Sequence, residues 1–487
     1  MRFLLLVLAI AFIGVPAAQC ATWTGLGADS LVENAANWLG GLPANDGTET
    51  FTFFGSPRTD PTTQSDWFVR GIAFGPGAPP YVLQQNVFGI SGGSLRVGSG
   101  GIANASSNAQ TIEHVVLLEQ ANQTWTSTNA TTRILNAVQL QNRVLTISGA
   151  GGVEVGSGLA GSSAIIGPGF VDVAAGAKLT LRGVVSADVD VLGGTLIVET
   201  DEPQPPGSVL QFDAGSSLGV IGVHNPQLAL QLTGQTTFIG SGELQVQNGI
   251  RGTGSLVVDC ANSGGTLGLG GFYLSPFTGS VAVHSGRLEL NGAQPGVPML
   301  TGPITIGDGV GVSDAELVVA VNGVVPADWV PTVQSDATLH LGDGVALIGA
   351  VLAGGALTST GAYQVGAVRV DPSSNTATID GAWNTPVSAQ LDSIEVIGGT
   401  ADPDLRFGAG RPGPGGLYFF GAGELLLDGP ETTGEGRIRV DGMTCTLARS
   451  GSANTLPGFE ANQSAIIALA DQQFGSACEL VLRGSSL

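Results

Sequence analysis

GELQVQNGIRGTGSLVVDCANSGGTLGLGGFYLSPFTGSVAVHSGRLELNG, Gly242 to Gly292, holds four copies of one pattern: a small or turn residue, any residue, Leu, any residue, an aliphatic. The copies centre on Leu244, Leu256, Leu267 and Leu288. Side chains alternate between the two faces of an extended chain, so each copy sets its aliphatics on one face and its intervening residues on the other. A Gly or Asn-Gly often follows and permits the positive-φ turn that ends a strand. Working outward, the pattern returns as GSLRV at Leu95, VLTISG at Leu145, AKLTLRG at Leu179 and GTLIV at Leu196. Later copies are AELVVAVNG at Leu317, ATLHLGDG at Leu339, GELLLDG at Leu425 and CELVLRG at Leu480. Many successive copies lie about 11 to 30 residues apart, as the rungs of a β-helix do when loops interrupt them.

One such rung is unstable alone. Ordering about 20 residues costs roughly 20–40 kcal/mol of backbone entropy, whereas each buried Leu or Val returns only about 1.5–3 kcal/mol. Neighbouring rungs must therefore close its edges and cover its apolar face. The sequence predicts an all-β chain: a right-handed parallel β-helix, or β-solenoid, with an N-terminal cap. Residues 22–90 read as the cap and 91–487 as the solenoid, with Pro/Gly-rich loops near 201–207 (DEPQPPG) and 401–416 (ADPDLRFGAGRPGPGG). A set of antiparallel sandwiches is the rival fold, because alternation alone does not distinguish parallel from antiparallel pairing.

Composition agrees with short strands and close turns. Of 487 residues 77 are Gly, 43% are hydrophobic and 11% are charged, and Lys178 is the only lysine. The hydrophobic share argues against wholesale disorder. A formal net charge of −22 repels phosphate backbones, and no cluster of Lys or Arg offsets it, so nucleic acid is not an expected partner.

MRFLLLVLAIAFIGVPAAQC, Met1 to Cys20, has a basic Arg2, an apolar run from Phe3 to Val15, then Pro16 and small residues. This predicts a secretory signal over residues 1–21, with cleavage near Cys20. Lipid anchoring through Cys20 is the lesser alternative, since Gln19 is bulky beside it. The run is shorter than the roughly 20 residues a membrane helix needs, and no other stretch qualifies, so an integral membrane protein is not expected. CELVLRGSSL stops in mid-pattern with neither a hydrophobic anchor nor a barrel domain in view; the expectation is release from the cell or a chain that continues. Beyond the signal lie Cys260, Cys445 and Cys478. Export meets an oxidising compartment, where Cys445 and Cys478 are the better-placed pair; buried thiols are the alternative.

The search for chemistry gives no catalytic residue, no metal ligand and no cofactor site. His114, His224, His284 and His340 sit beside strand aliphatics and read as solvated strand residues. GISGG at Ser91 and GSSLG at Ser217 match Gly-x-Ser-x-Gly, yet neither opens a helix as a nucleophile elbow must. IGDGVGVSD, with Asp308 and Asp314, is the nearest approach to a calcium-binding repeat. Asp188 and Asp190 share a strand face near Arg182 and are the best acid pair for an enzyme reading. Trp23 and Trp38 either fold inward as a cap over the open solenoid end or stack on sugar rings.

Two segments resemble a known family. ATWTGLGADSLVENAANWLGGLPANDGTETFTFFG, Ala21 to Gly55, is similar to the opening of bacterial proteins with autotransporter-associated β-strand repeats, through Thr22, Trp23, Thr24, Gly25, Asn37, Trp38, Pro43 and Phe53. Gly252 to Gly292 resembles the family's repeat, best over Thr278-Gly279 and Val283 to Leu290, while FYLSPFTG departs from its usual Asn-rich turn. Val116 to Asn129 also resembles a family segment. The resemblance implies a passenger-like β-helix, exported to the outer cell surface or beyond, structural or adhesive and without catalysis. Surface polysaccharide or other cell-surface components are the implied partners. A polysaccharide lyase or hydrolase on the same scaffold, or a carbohydrate-binding surface protein, is the alternative.

Overall fold

The alternating pattern folds into stacked parallel coils, and the antiparallel rival is set aside by the strand pairing. A computed structural model describes residues 19–85, 93–159, 162–200, 209–225, 229–260, 264–270, 277–292, 298–326, 328–383, 392–408, 416–428, 437–448, 458–469 and 479–486. The chain divides into two compact units, 1–154 and 155–487.

In the first unit each coil carries three short strands. Val116 pairs with Leu95 before it and Val138 after it. Gln123 pairs with Leu145 and Thr132 with Gln110, so a coil takes about 22 residues. The unit opens on Gln19–Trp23, flanked in parallel by Glu49–Phe53 and antiparallel by Trp38–Leu39. That reversed strand covers the first coil's edge, which would otherwise offer unpaired N–H and C=O groups. Trp23 and Trp38 turn inward, 1% and 4% exposed, and meet edge to face at 5.1 Å. Trp38 also packs on Phe51 at 4.6 Å, and Phe51 on Trp67 at 5.4 Å. The cap reading of the two tryptophans holds; neither ring is open to a sugar.

The second unit shows why Leu is the pattern's fixed residue. Leu244, Leu267, Leu288, Leu317, Leu339 and Leu357 pair in direct register from coil to coil. The same row continues through Ile379, Phe407, Leu427 and Leu447. All ten side chains are at most 1% exposed. A second inward row runs Leu196, Leu218, Phe238, Val258, Val283, Ile306, Val333, Leu352, Val370, Val396. Each buried row lines the interior, on parallel strands whose spacing in such sheets is about 4.7–4.9 Å.

Glycine is required where a strand end meets the coil before it. Gly252 pairs with Leu232 and Gly421 with Val396, at φ of +110° and +130°. A Cβ at either would lie 2.1 Å from the partner's carbonyl oxygen, so both the dihedral and the space exclude a side chain. Within the Pro/Gly-rich stretch 401–416, Leu405–Phe407 is itself a strand of the stack, while 409–415 lie outside the described residues. The loop at 201–207 and the signal residues 1–18 lie outside them too.

Candidate functional site

Parity decides which polar groups enter the interior. In TIEHVVLL, Ile112, His114, Val116 and Leu118 all face inward, because the alternation runs straight through the corner between two strands. His114 is 1% exposed, so the expectation of four solvated histidines is corrected at this position. Its Nε2 lies 2.6 Å from the Thr63 hydroxyl. Its Nδ1 is buried near the Leu83 carbonyl, outside good hydrogen-bond geometry. Burial penalises the imidazolium and holds the pKa down at about 4, against which Glu33 pulls weakly. Glu33 accepts from Trp67 Nε1 at 3.0 Å, Gln64 N at 2.9 Å and Ser65 Oγ at 3.2 Å. A Thr–His contact with a carboxylate in its field has the composition of a nucleophile relay, but Thr63 and His114 are sealed from solvent.

The other histidines are half-exposed. His224 Nε2 lies 2.6 Å from the Ile221 carbonyl and His340 Nδ1 lies 3.0 Å from Thr358 Oγ1. Ser217 sits within the strand Ser216–Val220, between Thr195 and Thr237, with no strand-to-helix turn; Ser91 lies outside the described residues. Asp336 is the residue sequence reasoning missed near Asp308 and Asp314. It is 1% exposed and accepts from the backbone N–H groups of Asp308 and Gly309 at 3.1 and 2.9 Å. It thus clips the loop; among the described residues no group of three metal-ligating side chains gathers.

Asp188 and Asp190 do share an outward face. The register adds a third acid, since Asp190 lies opposite Asp172 on the preceding coil. Burial first, then the charges of Asp172, Asp188 and Asp213, raise the Asp190 pKa. Arg182 donates to Glu199 at 2.9 Å, a residue on the following coil that sequence distance does not reveal. A second pair, Asp402 and Glu424, shares a hydrogen bond that raises the Glu424 pKa. Cys445 points inward between Leu425 and Ile466, and Cys478 lies outside the described residues. Cys260 is 2% exposed, and burial pushes its thiol up to about 11, which suppresses the reactive thiolate.

A recess of about 470 Å³, lined by several side-chain types, lies on the outer face of the second unit. Its floor is a row of small residues in register, Gly349, Ala367 and Ser393. Beside it runs Val351, Arg369, Glu395 and Phe420, also in register. Val330 and Ile348 close another edge, 49% and 54% exposed. Phe420 stacks on Tyr418 with ring centroids 5.1 Å apart and planes 22° from parallel. The Arg439 guanidinium lies 5.0 Å from the Tyr418 ring centre, and Tyr418 Oη donates to Asp441 at 2.7 Å. A signal for this site exists in the sequence: in LYFFG, Leu417 and Phe419 are buried, which puts Tyr418 and Phe420 outward where other copies carry Thr, Glu or Gln.

Comparison with known proteins gave no matching family model, no matching curated protein and no matching solved structure.

Proposed function

We propose that this chain is an exported β-solenoid serving as surface material, displayed for adhesion or matrix, in the manner of bacterial passenger regions built from autotransporter-associated β-strand repeats. The observation that carries this reading is the unbroken register row from Leu244 to Leu447. Side chains there are committed to stacking, and a stack presents outer faces that can vary without disturbing the core. Outward arginines fit the same reading, because they brace neighbouring coils: Arg287 reaches Glu316 at 2.8 Å and Arg406 reaches Asp428 at 2.7 Å. The leader-like run at Phe3 to Val15 and the net charge of −22 suit an exported, soluble surface.

Immunogold labelling of intact source cells tests this proposal. Gold at the cell surface, or the protein in the medium, is the expected result. Label found only after the cells are opened, with the protein in the cytosolic fraction, would contradict it.

A further inference from the structure

We infer that the recess over Gly349, Ala367 and Ser393 binds a neutral saccharide chain, an inference that rests on the reading of this chain as an exposed surface protein.

The shape comes from register. Gly349, Ala367 and Ser393 are outward residues of three successive strands, and their small side chains leave a trough across the sheet about 10 Å long, two strand spacings. The row continues into Tyr418, so the trough ends against the stacked Tyr418–Phe420 rings. Val330, Ile348 and Phe420 supply apolar surface, and Asp328, Arg369, Glu395 and Ser393 supply hydrogen-bonding groups beside it. An amphipathic ligand fits such a lining: apolar C–H faces against aliphatic and aromatic surface, hydroxyls toward carboxylate, guanidinium and Ser.

Charge narrows the ligand. Asp371 takes up the Arg369 guanidinium at 2.6 Å, so Asp328 and Glu395 set the sign of the site, within a chain of net charge −22. Uronates, phosphates and nucleic acid are repelled. Backbone chemistry narrows it further. Strands 362–370 and 392–396 have a paired strand on each side, so the floor offers no open edge to which a peptide strand could add. A neutral, hydroxyl-rich chain remains.

Titration of the full chain by saturation-transfer NMR with cellohexaose, xylohexaose, mannohexaose and maltohexaose tests the site, with hexagalacturonate as the anionic probe. At least one neutral hexasaccharide should bind at millimolar concentration or below, and hexagalacturonate at least tenfold more weakly. Ala367→Leu, which fills the trough from an exposed position, and Phe420→Ala should each weaken binding at least tenfold. Thermal unfolding of Ala367→Leu checks that its fold is intact. No binding by any neutral probe, equal binding by both variants, or preference for the uronate would overturn the inference. This outcome is independent of the cell-surface labelling: loss of binding leaves surface exposure standing, and a cytosolic location leaves the binding result standing.

Discussion

Leu317→Ala tests whether stability here is a nearest-neighbour property. Leu317 is fully buried and pairs with Leu288 on one side and Leu339 on the other. Removing its side chain deletes contacts to both neighbours, and the ladder bonds that fix strand spacing keep the site from collapsing. Leu-to-Ala costs in such sites run about 2–5 kcal/mol; a site that cannot collapse belongs near or above the middle, about 3–4 kcal/mol. Each 1.4 kcal/mol is tenfold, so local opening rises at least roughly a hundredfold. Native-state hydrogen exchange reads this directly. Amides of Val281–Leu290 and Ala337–Leu341 should lose protection by that factor, while those of Thr195–Val198, many coils away, keep theirs. Glu316→Gln is the control, since it removes only the half-exposed ion pair with Arg287, worth about 0–1 kcal/mol. A loss below about 1 kcal/mol at position 317, or an equal loss at every strand, would refute the reasoning.

Two further predictions concern charge. Burial holds the His114 pKa at about 4 in the folded chain, against an ordinary 6.5, so the unfolded chain takes up the proton first and stability falls as pH drops from about 6.5 to about 4. The full loss is roughly 3 kcal/mol; urea midpoints at pH 7 and pH 4 should therefore differ less for His114→Gln than for the wild type, and parallel shifts would count against the buried histidine. Asp190 has its pKa raised, so the folded state holds the proton more readily and the group's destabilising effect at neutral pH is relieved as pH falls. Asp190→Asn should raise the melting temperature at pH 7, a gain of a few tenths to about 1 kcal/mol for like charges directly opposite, and the gain should shrink in acid; an unchanged or lowered melting temperature at pH 7 would show that the Asp172–Asp190 contact carries no repulsion.

What was legible in the sequence was the interior. The Leu copies at 244, 267, 288, 317 and 339 proved to be mutual partners, because the pattern encodes the inward face and the following glycine encodes the turn. Between Leu357 and Leu427 the row passes unnoticed through ATID and DLRF, where Ile379 and Phe407 replace Leu. A pattern keyed to one residue type misses a position defined by inwardness. The outer face was less legible, because its contacts lie a full coil apart: Arg182 with Glu199, Asp172 with Asp190, Asp336 with the loop at Asp308. The recess depends on three small residues that become neighbours only once register is known. His114 and the outward pair Tyr418 and Phe420 were within reach, since flanking aliphatics fix their parity.

Disulfide trapping measures the register itself. Glu316 and Thr338 are outward partners on adjacent coils, and parallel strands at about 4.8 Å fall within the Cα separation a disulfide tolerates, about 4.4–6.8 Å. In a background without native cysteines, Glu316→Cys with Thr338→Cys should close fully under mild oxidation, as read by peptide mass spectrometry. Glu316→Cys with His340→Cys, displaced by two residues along the strand, should stay reduced. Closure of the displaced pair in preference to the first, or of neither, would contradict the parallel in-register stack.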